Sequence, residues 1–166
     1  MKTVLINAII ILCVVSTHAQ KITKGSFNVL ANEKTVIVKI DYTESEIDKV
    51  PFEAFLESVE DWDKGYHEII LKFVKAANQT GSGIIYSAKK TDNYQLVFKA
   101  KKVTRYGHTT GSLFLLDKED NVIGVAEKFE VEGGLYGSQM NLMGDASERL
   151  GKVVARFIKK AINRKQ

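Results

Sequence analysis

From residue 84 to residue 131, strand-forming segments follow one another with only turns between them, and nothing else in the sequence constrains the fold as much. Segment 84–90 comes first, and Thr91-Asp92-Asn93 reads as a turn. Segment 94–105 is long and places Leu96, Phe98 and Ala100 on one side. Gly107 marks a second turn, at 106–110. Segment 111–116 contains the unbroken run Leu113-Phe114-Leu115-Leu116. A run without alternation predicts a central strand covered on both faces. DKEDN at 117–121 is a third turn, and Val122–Val131 closes the series. Spacing this close predicts an antiparallel meander.

Upstream, segment 35–42 (TVIVKIDY) is β-branched and alternating, and reads as a strand. A polar stretch leads to Pro51, a residue suited to the first turn of a helix. Phe52, Phe55, Leu56 and Val59 recur at helical spacing, and the phase continues through Trp62, Tyr66, Ile69, Ile70, Phe73, Val74 and Ala77. Glu60-Asp61 and Gly65 are expected to split or kink this helix, and Gly81 and Gly83 to end it. Segment 133–144 reads as loop. Asp145 then reads as a helix N-cap with Glu148 as its capping-box partner. Ala146, Leu150, Val153, Val154, Phe157, Ile158 and Ala161 form one apolar stripe, and Lys159, Lys160, Arg164 and Lys165 complement the helix dipole. The expected fold is α+β: a mainly antiparallel four- to five-stranded sheet with two or three helices on one face, in the order β-α(α)-β-β-β-β-α.

The amino end reads as a cleavable export signal spanning residues 1–19. Lys2 supplies the positive charge, the stretch from Val4 to Val15 is almost wholly apolar, and small Thr17 and Ala19 precede Gln20. The apolar core is about a dozen residues long, whereas a membrane span needs roughly twenty. Cys13, the one cysteine, lies inside this core behind Leu12, where lipoprotein processing would want a small residue. The remaining domain, residues 20–166, therefore has no cysteine for a disulfide and must rely on a packed core. At 45% hydrophobic and 27% charged, the chain has the composition of a folded domain, and its net charge of +4 does not by itself imply a polyanionic partner.

Chemistry-bearing patterns are sparse. His67 and His108 lie far apart with no ligand-spaced neighbours, so no metal is expected. There is no nucleophile motif, and Glu57, Glu60, Asp61 and Asp63 read as the wet face of a helix. Gly133-Gly134-Leu135-Tyr136-Gly137-Ser138 lacks the Lys-Ser/Thr of a phosphate loop, and a helix starting at Asp145 begins too late to serve it. Asn78-Gln79-Thr80 fits a glycosylation sequon. No enzyme activity and no cofactor are expected. The candidate interaction loop carries Leu135, Tyr136, Met140, Leu142 and Met143, which either form a contact patch or close the core. A candidate patch for an anionic partner comprises Lys99, Lys101, Lys102 and Arg105. Lys89 and Lys90 lie beside it on the expected first hairpin, and Lys152, Arg156, Lys159, Lys160, Arg164 and Lys165 form a second cluster on the last helix. The alternative for both clusters is a solvated face.

Three segments carry a resemblance: KIDYTESEID, YQLVFKAKKVTRYGHTTGSLFLLDKEDNVIGV and MGDASERLGKVVARFIKKA. Together they resemble small exported proteins of Bacteroidetes-type bacteria and, more distantly, envelope domains similar to the TolB amino-terminal domain and CsgG. The resemblance implies a periplasmic or cell-surface domain that acts through contacts, and it brings no catalytic residues. Its expected partner is another envelope protein. Nucleic acid is not expected, membrane contact is possible but not required, and the oligomeric state is open. The other reading is a carrier of small apolar ligands, with a pocket between helix and curved sheet lined by Phe73, Phe98, Phe114 and Phe157. Amino-terminal sequencing of the secreted protein should begin at Gln20. A soluble product that begins at Met1 would refute the leader.

Overall fold

The computed structural model describes residues 20–89 and 93–163. Residues 1–19, where the leader is expected, Lys90, Thr91 and Asp92, at the end of the expected strand and in the expected turn, and residues 164–166 lie outside them. The described chain forms β1 (Lys21–Gly25), a 3-10 turn (Asn28–Asn32), β2 (Thr35–Asp41), β3 (Glu46–Ile47), β4 (Val50–Pro51), α1 (Phe52–Leu56), α2 (Trp62–Asn78), β5 (Ile85–Ser87), β6 (Gln95–Val103), β7 (Thr109–Leu116), β8 (Val122–Val131) and α3 (Gln139–Asn163). The class is α+β. The expected four- to five-stranded, mainly antiparallel sheet understates what is present: one mixed sheet of eight strands, ordered β1-β8-β7-β6-β2-β5, with the β3–β4 hairpin beside β6.

Strands β6, β7 and β8 form the antiparallel meander that their spacing predicts. Strand β5 does not belong to it. It pairs parallel with β2 through Thr35↔Ile85 to Ile37↔Ser87, while β6 pairs parallel with the other edge of β2 from Ile37↔Gln95 to Asp41↔Lys99. The expected first hairpin is therefore absent. β5 ends level with Ile37, and β6 takes up the opposite edge of β2 from that residue on, in the same direction. The β3–β4 hairpin also escaped the sequence reading. Its turn residues Asp48 (φ 46°) and Lys49 (φ 70°) take the left-handed backbone that Asn-Gly usually signals.

One face of the sheet is covered. Val38, Ile40, Leu96, Phe98, Leu113, Leu115 and Phe129 are buried beneath Ile69, Phe73, Leu150, Val154 and Ile158 of the helices. The run from Leu113 to Leu116 was expected to be covered on both faces. Instead Leu113 and Leu115 are buried, while Phe114 and Leu116 are half-buried on the face without helices. Lys99 lies over the Phe114 ring, 5.6 Å from its centroid, so the lysine stem and the strand shield this apolar residue. The helical break falls at Glu60-Asp61 as expected, whereas Gly65, also expected to split or kink the helix, lies within α2. Asp61 caps α2 through Lys64 N, and Trp62 fills the corner with edge-on contacts to Tyr42, Phe52 and Phe55.

Helix α3 begins at Gln139, well upstream of the expected Asp145. Ser138 does the capping. Its Oγ accepts from Asn141 N at 3.3 Å, and its carbonyl accepts from Leu142 N at 3.0 Å. The Asp145 carboxylate instead meets the Lys72 ammonium at 2.9 Å, and Glu148 pairs with Lys152. The helix runs on through Gly144, which faces the Lys72 side chain, and α2 comes closest one to two turns later. Ser147 donates to the Ile69 carbonyl at 2.8 Å, and a Cβ at Gly151 would stand 2.4 Å from the Phe73 carbonyl oxygen.

Replacing Gly151 with Ala should force the helices apart and cost about 1–3 kcal/mol. Gly65→Ala meets only the flexible end of Met140 and should stay within about 1 kcal/mol of neutral. Urea denaturation of both variants checks the contrast, and equal losses would refute the close-approach argument. Burial also pushes the Tyr86 phenol up from 10.0 to about 12, outweighing the lowering effect of its hydrogen bond with Ser82, and raises Tyr42 as well. The folded-state pKa exceeds the unfolded one, so this stabilisation is complete below about pH 10 and is lost as pH rises through about 12. Urea midpoints should fall across that window, and less steeply in Tyr86→Phe.

Candidate functional site

Two loops meet at one end of the sheet. The β6–β7 turn is closed by Gly107 N donating to the Thr104 carbonyl at 2.8 Å and Thr104 N donating to the His108 carbonyl at 2.9 Å. Gly107, at φ +76°, lies against the α3 backbone, where a Cβ would be 2.4 Å from the Leu142 oxygen. The β8–α3 loop presses on this turn from the other side, since a Cβ at Gly133 would fall 1.8 Å from the Tyr106 oxygen. Arg149 donates to the Gly133 carbonyl at 2.8 Å, and Gln139 donates to the Thr104 carbonyl at 2.9 Å. These contacts leave three large side chains outside: Tyr106 at 52%, Leu135 at 82% and Tyr136 at 90% exposure. The Arg105 guanidinium lies 5.2 Å from the Tyr106 ring centre, and the His108 ring lies 6.4 Å away.

The structure divides the five residues of the expected interaction loop. Leu135 and Tyr136 are on the loop and exposed. Met140, Leu142 and Met143 are on α3, with Leu142 and Met143 buried and Met140 packed against the core beside Gly65. The loop is thus shorter than expected, because Ser138 and not Asp145 starts the helix. The supposed gap between Ser138 and the helix is absent too. Tyr106 was not among the expected contact residues, and its place beside Gly107 in a turn was the available signal.

The basic residues on β6 face the open side of the sheet among acids. Lys99 stands 3.9 Å from Asp41, Lys102 stands 4.0 Å from Glu46, and Lys101 borders a shallow hollow shared with Glu127 and Glu130. Arg105 belongs to the tip. The basic cluster of α3 lies in the helical layer, across the sheet from Lys99 and Lys101. Phe73, Phe98, Phe114 and Phe157 do not line one cavity. Phe73 and Phe98 are fully buried, and Phe98 meets Phe129 at 6.2 Å, which in turn meets Phe157 at 5.4 Å. Phe114 is on the opposite face.

His67 and His108 are both exposed. Among the described residues no group of three or more His, Cys, Asp or Glu is placed to hold a metal ion, and no helix is long and apolar enough to cross a membrane. Asn78 of the sequon is engaged: its amide donates to the Tyr86 carbonyl at 3.0 Å and accepts from Tyr86 N at 2.8 Å. This clamp occupies backbone groups on the outer edge of β5, where another strand could otherwise pair.

No family model matches the chain, and no curated protein matches it. Solved structures with some likeness include an uncharacterised protein at 11% identity and TM-score 0.48, covering 75% of this chain and 92% of that one. A PelC dodecamer from Paraburkholderia phytofirmans gives 10% identity and TM-score 0.38, covering 82% and 96%. A Xanthomonas campestris protein of the DUF330 family gives 11% and 0.35, covering 77% and 84%. These likenesses assign no activity and no partner to this chain.

Truncating the tip should leave the fold intact. Leu135→Ala/Tyr136→Ala is expected to change stability by less than about 0.5 kcal/mol. Leu142→Ala and Met143→Ala should each cost about 2–5 kcal/mol, because each opens a cavity under α3. Thermal melts of the three variants check the division, and a destabilised tip variant would contradict it.

Proposed function

We propose that this chain is an exported, non-catalytic binding module of the cell envelope, and that it meets its partner through the tip made by Tyr106, Leu135 and Tyr136. One observation carries the reading: three large side chains stand exposed at one end, on two loops that pack on each other and are hydrogen-bonded to α3. Single exposed apolar residues are common on protein surfaces, but a cluster of this kind marks a contact surface. Aromatic residues beside an arginine are the composition of interface hot spots. A rigid base reduces the ordering cost of binding. The leader and the resemblance to small exported proteins support a periplasmic or cell-surface location.

The test is site-specific crosslinking in the cells that make the protein. A photoreactive phenylalanine analogue at position 136 should give a discrete adduct. The same analogue at Leu71, an exposed apolar residue on α2, serves as control. Adducts of equal yield at both positions, or none at 136, would overturn the reading. A second reading, a carrier of small apolar ligands, is favoured by one observation: an apolar groove between β1 and α3, apart from the tip.

A further inference from the structure

Edge strand β1 and the carboxyl half of α3 enclose a groove of about 290 Å³, lined by Gln20, Ile22, Val153, Arg156, Phe157, Lys160 and Ala161. Its form follows from the two elements. Ile22 is the β1 residue that packs toward the core, while the lysines Lys21 and Lys24 of the same strand are exposed. Val153, Phe157 and Ala161 succeed one another at four-residue steps along α3, so they make one continuous apolar wall opposite Ile22. Phe157 is fixed from behind, edge-on to Phe27 at 5.3 Å and to Phe129 at 5.4 Å. The wall is therefore preformed and does not depend on a mobile side chain. The volume of about 290 Å³ lies just below the roughly 300–1,000 Å³ typical of ligand sites, enough for one chain or ring and too small for a folded segment.

The rim carries the charge. Arg156 and Lys160 are one helical turn apart and both exposed at the groove. Their neighbours are engaged elsewhere, Lys152 with Glu148 at 2.6 Å and Lys159 with the Gly81 carbonyl at 3.3 Å. Among the described residues no carboxylate forms an ion pair with Arg156 or Lys160. An arginine fork beside a lysine, above an apolar wall, matches a small anionic head on an apolar tail. We propose that this groove binds a single-chain anionic amphiphile, with the alkyl chain along Ile22, Val153 and Phe157 and a carboxylate or phosphate head between Arg156 and Lys160. The proposal rests on the carrier reading and is independent of the tip.

The probes are decanoate and decyl phosphate, each below its micelle-forming concentration and titrated into the purified isotope-labelled protein. Amide resonances of Ile22, Val153, Phe157 and Ala161 should shift saturably, and the head group that binds more tightly identifies the source. Uncharged decyl maltoside should bind at least tenfold more weakly. Arg156→Gln/Lys160→Gln, two exposed positions, should weaken anion binding at least tenfold with an unchanged spectrum elsewhere. Val153→Trp should fill the groove and abolish binding. Leu135→Ala/Tyr136→Ala should bind both probes as the parent does, which separates failure here from failure of the tip reading. Unchanged groove resonances with both probes, equal affinity in the Arg156/Lys160 variant, or shifts confined to Tyr106 and Tyr136 would each overturn the proposal.

Discussion

Ser147 gives its hydroxyl to the Ile69 carbonyl, and one turn later Gly151 admits the Phe73 carbonyl to a distance that no larger residue allows. This seat of α3 on α2 decides much of the rest. With the two helix backbones this close, Ala146, Leu150, Val154 and Ile158 reach the core beneath, and the Lys72–Asp145 pair closes the upper side. Upstream, α3 continues through Gly144 to its cap at Ser138. Met143 and Leu142 are then drawn under the helix, and the loop that remains is short.

A short loop has few ways to place its side chains. Pressed between the Tyr106–Gly107 backbone and Arg149, it holds Leu135 and Tyr136 away from the body. The exposed tip thus sits on a loop anchored by backbone contacts to the β6–β7 turn and by Arg149. The open face of the sheet is different in kind. Its apolar residues Phe114 and Val97 lie opposite each other on β7 and β6, with Lys99 over the Phe114 ring and Asp41, Glu127 and Glu130 nearby. Mixed charge of this sort suits contact with water better than a single anionic partner.

Much of this was legible in the sequence. Alternation gave β2 and β6, the DKEDN turn gave the start of β8, and helical spacing gave α1 and α2 with their break at Glu60-Asp61, because burial on one side of an element leaves a periodic imprint. What was not legible has physical reasons. β1 buries little beyond Ile22, so it has no alternation to read. The β3–β4 turn uses Asp48 and Lys49 where glycine or asparagine would have announced it. The parallel placement of β5 beside β2 is a matter of which edge is free, and that is not a local property. Asp145 carries the chemistry of a cap but spends its charge on Lys72, a residue of another helix. Of the expected contact residues, Leu135 and Tyr136 were readable as loop. The burial of Leu142 and Met143 depended on a helix start that Asp145 concealed.

The sheet also orders events in time. Strand β1 has its partner in β8, and β2 has its long partner in β6, so both wait for chain that is made much later. Synthesis runs from the amino end, and pairings between distant segments close slowly. Through that interval β6, β7 and β8 can zip together locally, while β1 and β2 hold open backbone edges. Strand β1 is well suited to the wait. It is short, and Lys21 and Lys24 discourage other strands from pairing with it. The polarity that hid this strand from the sequence reading is of the kind that disfavours pairing of other chains with an open edge.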